Sequence, residues 1–129
     1  MNENRRDILM RLYEAYNDRD LESAMENLAP EVDWPDMTTG ARIVGRSAMR
    51  AYWEGQWQAI DARVEPLSME ADADGRVHVR VHRLLRSPDG GIIENRQVGH
   101  IFTFDGPFIQ RMDIIEIAQD DEDEDDEEQ

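Results

Sequence analysis

Cysteine is absent from the 129 residues. That excludes a disulfide framework, a thiolate nucleophile and any cysteine-ligated zinc or iron–sulfur site. Long apolar runs are missing as well. No stretch approaches the roughly 20 apolar residues that a bilayer span requires, so no membrane partner is expected. The opening Met1-Asn2-Glu3-Asn4-Arg5-Arg6 leads into a helical pattern and lacks the apolar stretch of a signal peptide, which makes the cytoplasm the expected compartment. No basic stripe is interleaved with aromatics, so no nucleic-acid partner is expected either. P-loop, G-x-G-x-x-G, G-x-S-x-G and H-E-x-x-H motifs do not occur. Nothing points to a nucleotide, a redox cofactor or a metal.

What is present is an ordinary balance for a folded domain, 40% apolar and 34% charged residues in a chain long enough for one core. The net charge of −16 is unevenly spread, because residues 120–128 are nine consecutive acids. Removing those nine from the sixteen leaves −7 on the body. A run of like charges repels itself and has nothing to bury. The expected organisation is a folded domain over residues 5–118 and a disordered acidic tail over 119–129. The tail is a solubility device or a bait for a basic partner.

Along the chain, Ile8, Leu12, Ala15 and Tyr16 recur at helical spacing, predicting a helix over residues 5–17. Asp20 is a good N-cap for a short second helix carrying Leu21, Ala24, Met25 and Leu28 on one face, stopped by Ala29-Pro30. Residues 31–37 read as extended, with a turn at Trp34-Pro35-Asp36, and 42–44 as a short strand. Ser47 can cap a third helix with Met49, Trp53, Trp57 and Ile60 in one stripe. Strands follow at 64–71, 76–86, 92–104 and 108–118, separated by the turn signals Asp72-Ala73-Asp74-Gly75, Ser87-Pro88-Asp89-Gly90-Gly91 and Asp105-Gly106-Pro107. In the second of these strands Val77, Val79 and Val81 alternate with His78, Arg80 and His82. Helices followed by an antiparallel meander argue an α+β fold. His78 and His82 lie about 13 Å apart at roughly 3.3 Å per residue, too far to share one ion with bonds near about 2 Å.

Several segments together resemble the SnoaL-like branch of the nuclear-transport-factor-2-like superfamily. They are Leu12-Tyr13-Glu14-Ala15-Tyr16 with Asp18-Arg19-Asp20-Leu21, Val32-Asp33-Trp34, Gly45-Arg46-Ser47-Ala48-Met49-Arg50-Ala51-Tyr52-Trp53, and above all His100-Ile101-Phe102-Thr103-Phe104 followed by a glycine turn and Ile109-Gln110-Arg111-Met112-Asp113. The resemblance covers roughly residues 6–117. It implies three N-terminal helices packed on a strongly curved antiparallel sheet, forming a cone with a pocket, and a homodimer paired through the sheet. It does not imply one activity, since the fold hosts isomerases, cyclases, hydrolases, dehydratases and non-catalytic proteins. The groups of the superfamily's steroid isomerases are not intact. Their base precedes a proline, where this chain has Trp34 before Pro35; their tyrosine matches Leu12, with Tyr16 one turn away; their second acid matches His100. Members of the cyclase and hydrolase type place acids and histidines on the last strands, which fits this chain better.

One constellation follows from strand pairing. If Phe104 pairs with Ile109 across an even-length turn, His100 lies opposite Asp113, Phe102 opposite Arg111 and Val98 opposite Ile115, and opposed residues share a face. An aspartate beside a histidine fixes its tautomer and raises its basicity, as a general base requires. A three-residue turn would instead put Met112 or Ile114 on the face of His100. Tyr16, Trp34, Trp53 and Phe102 are the candidate substrate-binding residues, their rings shaping a flat apolar pocket or filling the core, while Trp57 is assigned to the core. Two functions remain open: a cofactor-independent acid–base enzyme acting on a small apolar molecule through His100 and Asp113, or a non-catalytic homodimeric binding module.

Overall fold

The computed structural model describes residues 2–117, with side chains from Arg5 onward. The expected acidic tail, 119–129, lies outside the described residues. Within them the order is α1 (Asn2–Asp18), α2 (Leu21–Met25), β1 (Leu28–Pro35), β2 (Arg42–Val44), α3 (Arg46–Ala59), β3 (Asp61–Ala71), β4 (Val77–Arg86), β5 (Ile92–Asp105) and β6 (Phe108–Glu116).

α1 buries Ile8, Leu9, Leu12, Tyr13 and Ala15, the stripe that 3.6-residue periodicity demands. It ends at Arg19, the one non-glycine residue with positive φ (60°) among those described. Arg19 N–H donates to Tyr16 O and Asp20 N–H to Ala15 O, the paired bonds of a Schellman stop. Asp20 then caps α2, accepting from Ser23 N at 3.3 Å. Leu28 lies in β1, because the helix stops at Met25 and the chain is already extended. α3 starts one residue before Ser47. Its N-cap is Gly45, held at φ 98° and without a side-chain cap bond, where glycine avoids the Cβ strain of the left-handed region.

All six strands form one sheet in the order β2-β1-β6-β5-β4-β3. β3 to β6 are the antiparallel meander, but β1 runs parallel to β6. That makes the sheet mixed, because the chain reaches β1 from α2 and returns to the same edge only after the meander. The curled sheet and the three helices enclose Leu9, Leu28, Val32, Met49, Trp53, Val79, Val81, Val98, Phe102 and Ile109, all less than 2% exposed. β4 alternates as expected, with Val77, Val79, Val81, Arg83 and Leu85 inward.

The last hairpin corrects the predicted register. Phe104 does pair with Ile109 across the two-residue turn, but Thr103 pairs with Arg111, so Gln110 is an extra residue in β6. Beyond this bulge every partner is displaced by one. Phe102 faces Met112 rather than Arg111, Val98 faces Glu116 rather than Ile115, and His100 faces Ile114 rather than Asp113. The cause lies in burial. Ile109 and Met112 are both inside, at 0% and 3% exposure, and they are three residues apart. A strand of strict period two cannot bury both; one inserted residue lets it.

Candidate functional site

Between the helices and the inner face of the sheet lies a cavity of about 60 Å³. α1 supplies Leu12, Tyr13 and Tyr16; α3 supplies Tyr52, Trp53 and Gln56. Trp34 and Pro35 come from the end of β1, and Val64, Arg83, His100, Phe102, Met112 and Ile114 from the inner faces of β3 to β6. Tyr16, Trp34, Trp53, Phe102 and His100 all line this cavity, while Trp57 does not. Trp34 sits edge-on to Trp53 (centroids 5.4 Å) and to Phe102 (6.1 Å), a geometry that aromatic quadrupoles favour and that makes this wall stiff.

His100 is 6% exposed. Its Nδ1 lies 2.8 Å from the Tyr13 hydroxyl, with the two ring planes only 12° apart. Burial, and secondarily the charge of Arg83, pushes the imidazole down from its ordinary 6.5 to about 3. Burial also raises Tyr13 well above the ordinary phenol value. Both groups are therefore neutral at neutral pH. The tautomer follows from the hydrogen-bond network. Among the described residues His100 Nδ1 is the sole partner of the Tyr13 hydroxyl, so satisfying the buried phenol proton requires Tyr13 to donate. Nδ1 then accepts, Nε2 carries the proton, and Nε2–H, on a ring that lines the cavity, has no partner among the described residues.

A second polar chain crosses the cavity wall. Tyr16 O–H donates to Gln56 Oε1 at 2.6 Å, and Gln56 Nε2–H donates to the Tyr52 oxygen at 3.1 Å. Met37 N–H donates to the same oxygen at 3.1 Å. With both acceptor positions filled, the hydroxyl proton of Tyr52 remains available. Burial raises both phenols, so they too stay protonated.

Among the described residues Arg83 is the one charged side chain on the wall. Its Nε and Nη2 hold Glu94 Oε2 at 2.9 and 2.6 Å. Tyr13, Tyr52, Gln56 and Arg83 were not singled out from sequence. For Arg83 a signal existed: it continues the inward Val77-Val79-Val81 alternation, where a charged residue breaks the apolar pattern. Tyr13 follows Leu9 by four residues and precedes Tyr16 by three, which places it on the inward stripe.

Asp113 is elsewhere. The bulge turns it to the opposite face of the sheet, where it accepts from Arg111 Nε at 2.9 Å and Nη2 at 3.0 Å and from Arg42 Nη1 at 3.3 Å. Asp33 completes this surface network, bonded to Arg42 Nε at 2.7 Å and Arg111 Nη1 at 2.9 Å. The expected His100–Asp113 dyad is therefore not formed. The partner of the histidine is Tyr13.

Comparison with known proteins agrees with this architecture. The SnoaL-like domain model matches residues 9–112. The chain belongs to the SnoaL-like domain family. Among solved structures of similar fold, a Sinorhizobium meliloti protein described provisionally as a polyketide cyclase is 27% identical, with TM-score 0.72 over 84% of this chain and 93% of that one. A nuclear-transport-factor-2-like protein of unknown function from Burkholderia pseudomallei is 21% identical, with TM-score 0.76 over 88% and 91%. An epoxide hydrolase/cyclase-like enzyme of pyran ring formation in the polyether salinomycin is 20% identical, with TM-score 0.77 over 89% and 93%. The last two likenesses show the fold alone. No curated protein matches the sequence. Among the described residues there is no group of three or more His, Asp or Glu close enough to hold a metal, and no helix long and apolar enough to cross a membrane.

Proposed function

We propose that this SnoaL-like chain binds a small, largely apolar, oxygen-bearing molecule in the cone and acts on it by cofactor-independent acid–base chemistry. His100 serves there as a neutral hydrogen-bond donor. The observation that carries the reading is the locked imidazole: Nδ1 is engaged by Tyr13, and Nε2–H, without a partner among the described residues, belongs to a ring on the wall of an aromatic cavity. A donor preorganised in a water-poor site polarises a ligand carbonyl without reorganising when charge develops. An imidazole held near 3 is a poor base but a competent neutral donor.

The same residues narrow the reaction type. Among the described residues no carboxylate lines the cavity. The chain has no lysine, all 14 of its basic residues being arginine, so no side-chain amine is available for a Schiff base, and it has no cysteine nucleophile. What is left is activation of an electrophile, with the nucleophile carried by the ligand itself. Ring closure of the cyclase type fits this, and it accords with the provisional description of the Sinorhizobium relative. Trp34, Trp53, Phe102 and Tyr16 shape the apolar walls, and Tyr52 offers a second donor.

Acetophenone is a suitable probe of the polarising donor. On binding, its C=O stretch should move to lower wavenumber with the wild-type protein and stay near its apolar-solvent value with His100→Leu. Ring closure of an aryl enone carrying a terminal hydroxyl to the tetrahydropyran-bearing ketone, in which the hydroxyl oxygen bonds to the enone β-carbon and its proton ends on the α-carbon, should be faster with wild type by about 10²–10³, the usual effect of one oxyanion donor. Equal C=O shifts in the two proteins would refute the role of His100. A shift in wild type without any ring closure would favour the second reading, a non-catalytic binding module.

A further inference from the structure

Two arginines face each other on the inner face of the sheet. Arg83 and Arg96 are direct cross-strand partners of β4 and β5. Like charges so placed repel and need a counter-charge between them. Glu94 supplies one: its Oε2 takes both Nε and Nη2 of Arg83 and lies 4.0 Å from Arg96 Nε. Arg96 turns its Nη2 to Glu116, a side chain 79% exposed and therefore well screened.

The balance leaves donors over. Arg96 Nε is buried with no hydrogen-bond partner. The Arg83 side chain is only 10% exposed, and its Nη1 has no partner among the described residues. Arg83 also lines the cavity, while Glu94 does not. A guanidinium cannot shed its proton, so burial cannot neutralise it as it neutralises His100. Glu94 and Glu116 together match the two cations in charge, but Glu116 is exposed and screened, and Nη1 of Arg83 is left open on a wall made mostly of rings and aliphatic groups.

We propose that Arg83 anchors a carboxylate of the ligand, so that the molecule bound in the cone is a small aromatic carboxylate rather than a neutral hydrocarbon-like compound. The inference rests on reading the cavity as a ligand site, and it adds the ligand's charge. A carboxylate is negative at working pH without a deprotonation step. Its planar oxygens match the remaining edge of the guanidinium, with Nη1 and the second N–H of Nη2 as donors. The aromatic walls fit a flat ring, and polar recognition at one end with apolar contact elsewhere is the usual construction of such a site. Glu94 acts as a positioning residue, since its hold on Nε and Nη2 fixes the plane in which Nη1 points.

Benzoate and nitrobenzene test this directly, being nearly isosteric and differing in charge. Titrated into the full chain at pH 7 and followed by ligand-observed NMR, benzoate should bind more tightly by about tenfold to a hundredfold, the worth of a charge-assisted hydrogen bond. Arg83→Met should abolish that preference and leave nitrobenzene affinity nearly unchanged. His100→Gln should retain it, because the anchor and the polarising donor are separate groups. Arg83→Met leaves Glu94 with only its 4.0 Å contact to Arg96, so Arg83→Met/Glu94→Met serves if the single variant does not fold. Nitrobenzene binding as well as benzoate to wild type would overturn the anchor and leave the proposed function standing. Failure of both probes to bind at millimolar concentration would overturn both.

Discussion

His100 makes acid stability the most direct test of the buried site. Folding takes an imidazole with an ordinary value of 6.5 and holds it near 3. Between those values the unfolded chain carries a proton on residue 100 that the folded chain refuses. The stability contribution is therefore fully present above about pH 6.5 and is lost as pH falls toward 3. Each pH unit in that window costs about 1.4 kcal/mol. From pH 6.5 to 4.5 the loss is about 2.7 kcal/mol, and the whole window is worth about 5 kcal/mol, a large part of the 5–15 kcal/mol typical of a domain. With a urea slope of about 1–3 kcal/mol/M, a loss of 2.7 kcal/mol moves the unfolding midpoint by about 1 M or more. The assay is urea unfolding of wild type and His100→Gln at half-unit steps from pH 7.5 to 4. Every other ionisable side chain is common to the two proteins, so its contribution cancels in the difference. Wild type should lose its advantage over the variant with a slope near 1.4 kcal/mol per unit below pH 6.5. Parallel profiles would refute the claim that the imidazole is buried and neutral.

Three further substitutions probe the sheet. A Cβ on Gly99 would meet Ile115 Cγ1 at 2.7 Å, so Gly99→Ala should destabilise by about 1–3 kcal/mol. Ile115→Ala should relieve much of that in the double variant, and thermal denaturation that shows simple additivity would refute the contact. Asp113→Asn removes ion pairs on a side chain still 35% exposed, so it should cost at most about 1 kcal/mol and less at high salt. It should leave both the acetophenone C=O shift and the wild-type acid profile in place; a His100-like effect would restore the dyad.

The hairpin shows where sequence reasoning reaches its limit and why. Pairing of Phe104 with Ile109 was legible, because Gly106-Pro107 is a two-residue turn and turn length sets the first pair. The displacement of Asp113 was not, because it depends on one residue, Gln110, that no turn signal marks. The hint was there in composition: Ile109 and Met112, three apart, cannot both face inward on a regular strand. Yet which of the two would yield, or whether a bulge would spare both, depends on β1, which docks beside β6 with its own register shift between Leu28 and Asp33. Local pattern carries no information on that neighbour.

Periodicity and turn chemistry by themselves determined the three helices, the meander and the helical stripes that hold Tyr16 and Trp53, since each is dictated by spacing within one element. Family resemblance supplied the cone. Only the tertiary structure decided who meets whom across elements. It set β1 parallel to β6, gave His100 the hydroxyl of Tyr13 as partner, sent Asp113 to Arg42 and Arg111, and left Arg83 open at the cavity. Each of these outcomes is a contest among distant groups for burial and for hydrogen bonds. Such contests are settled by three-dimensional geometry, where a shift of one residue exchanges the two faces of a strand.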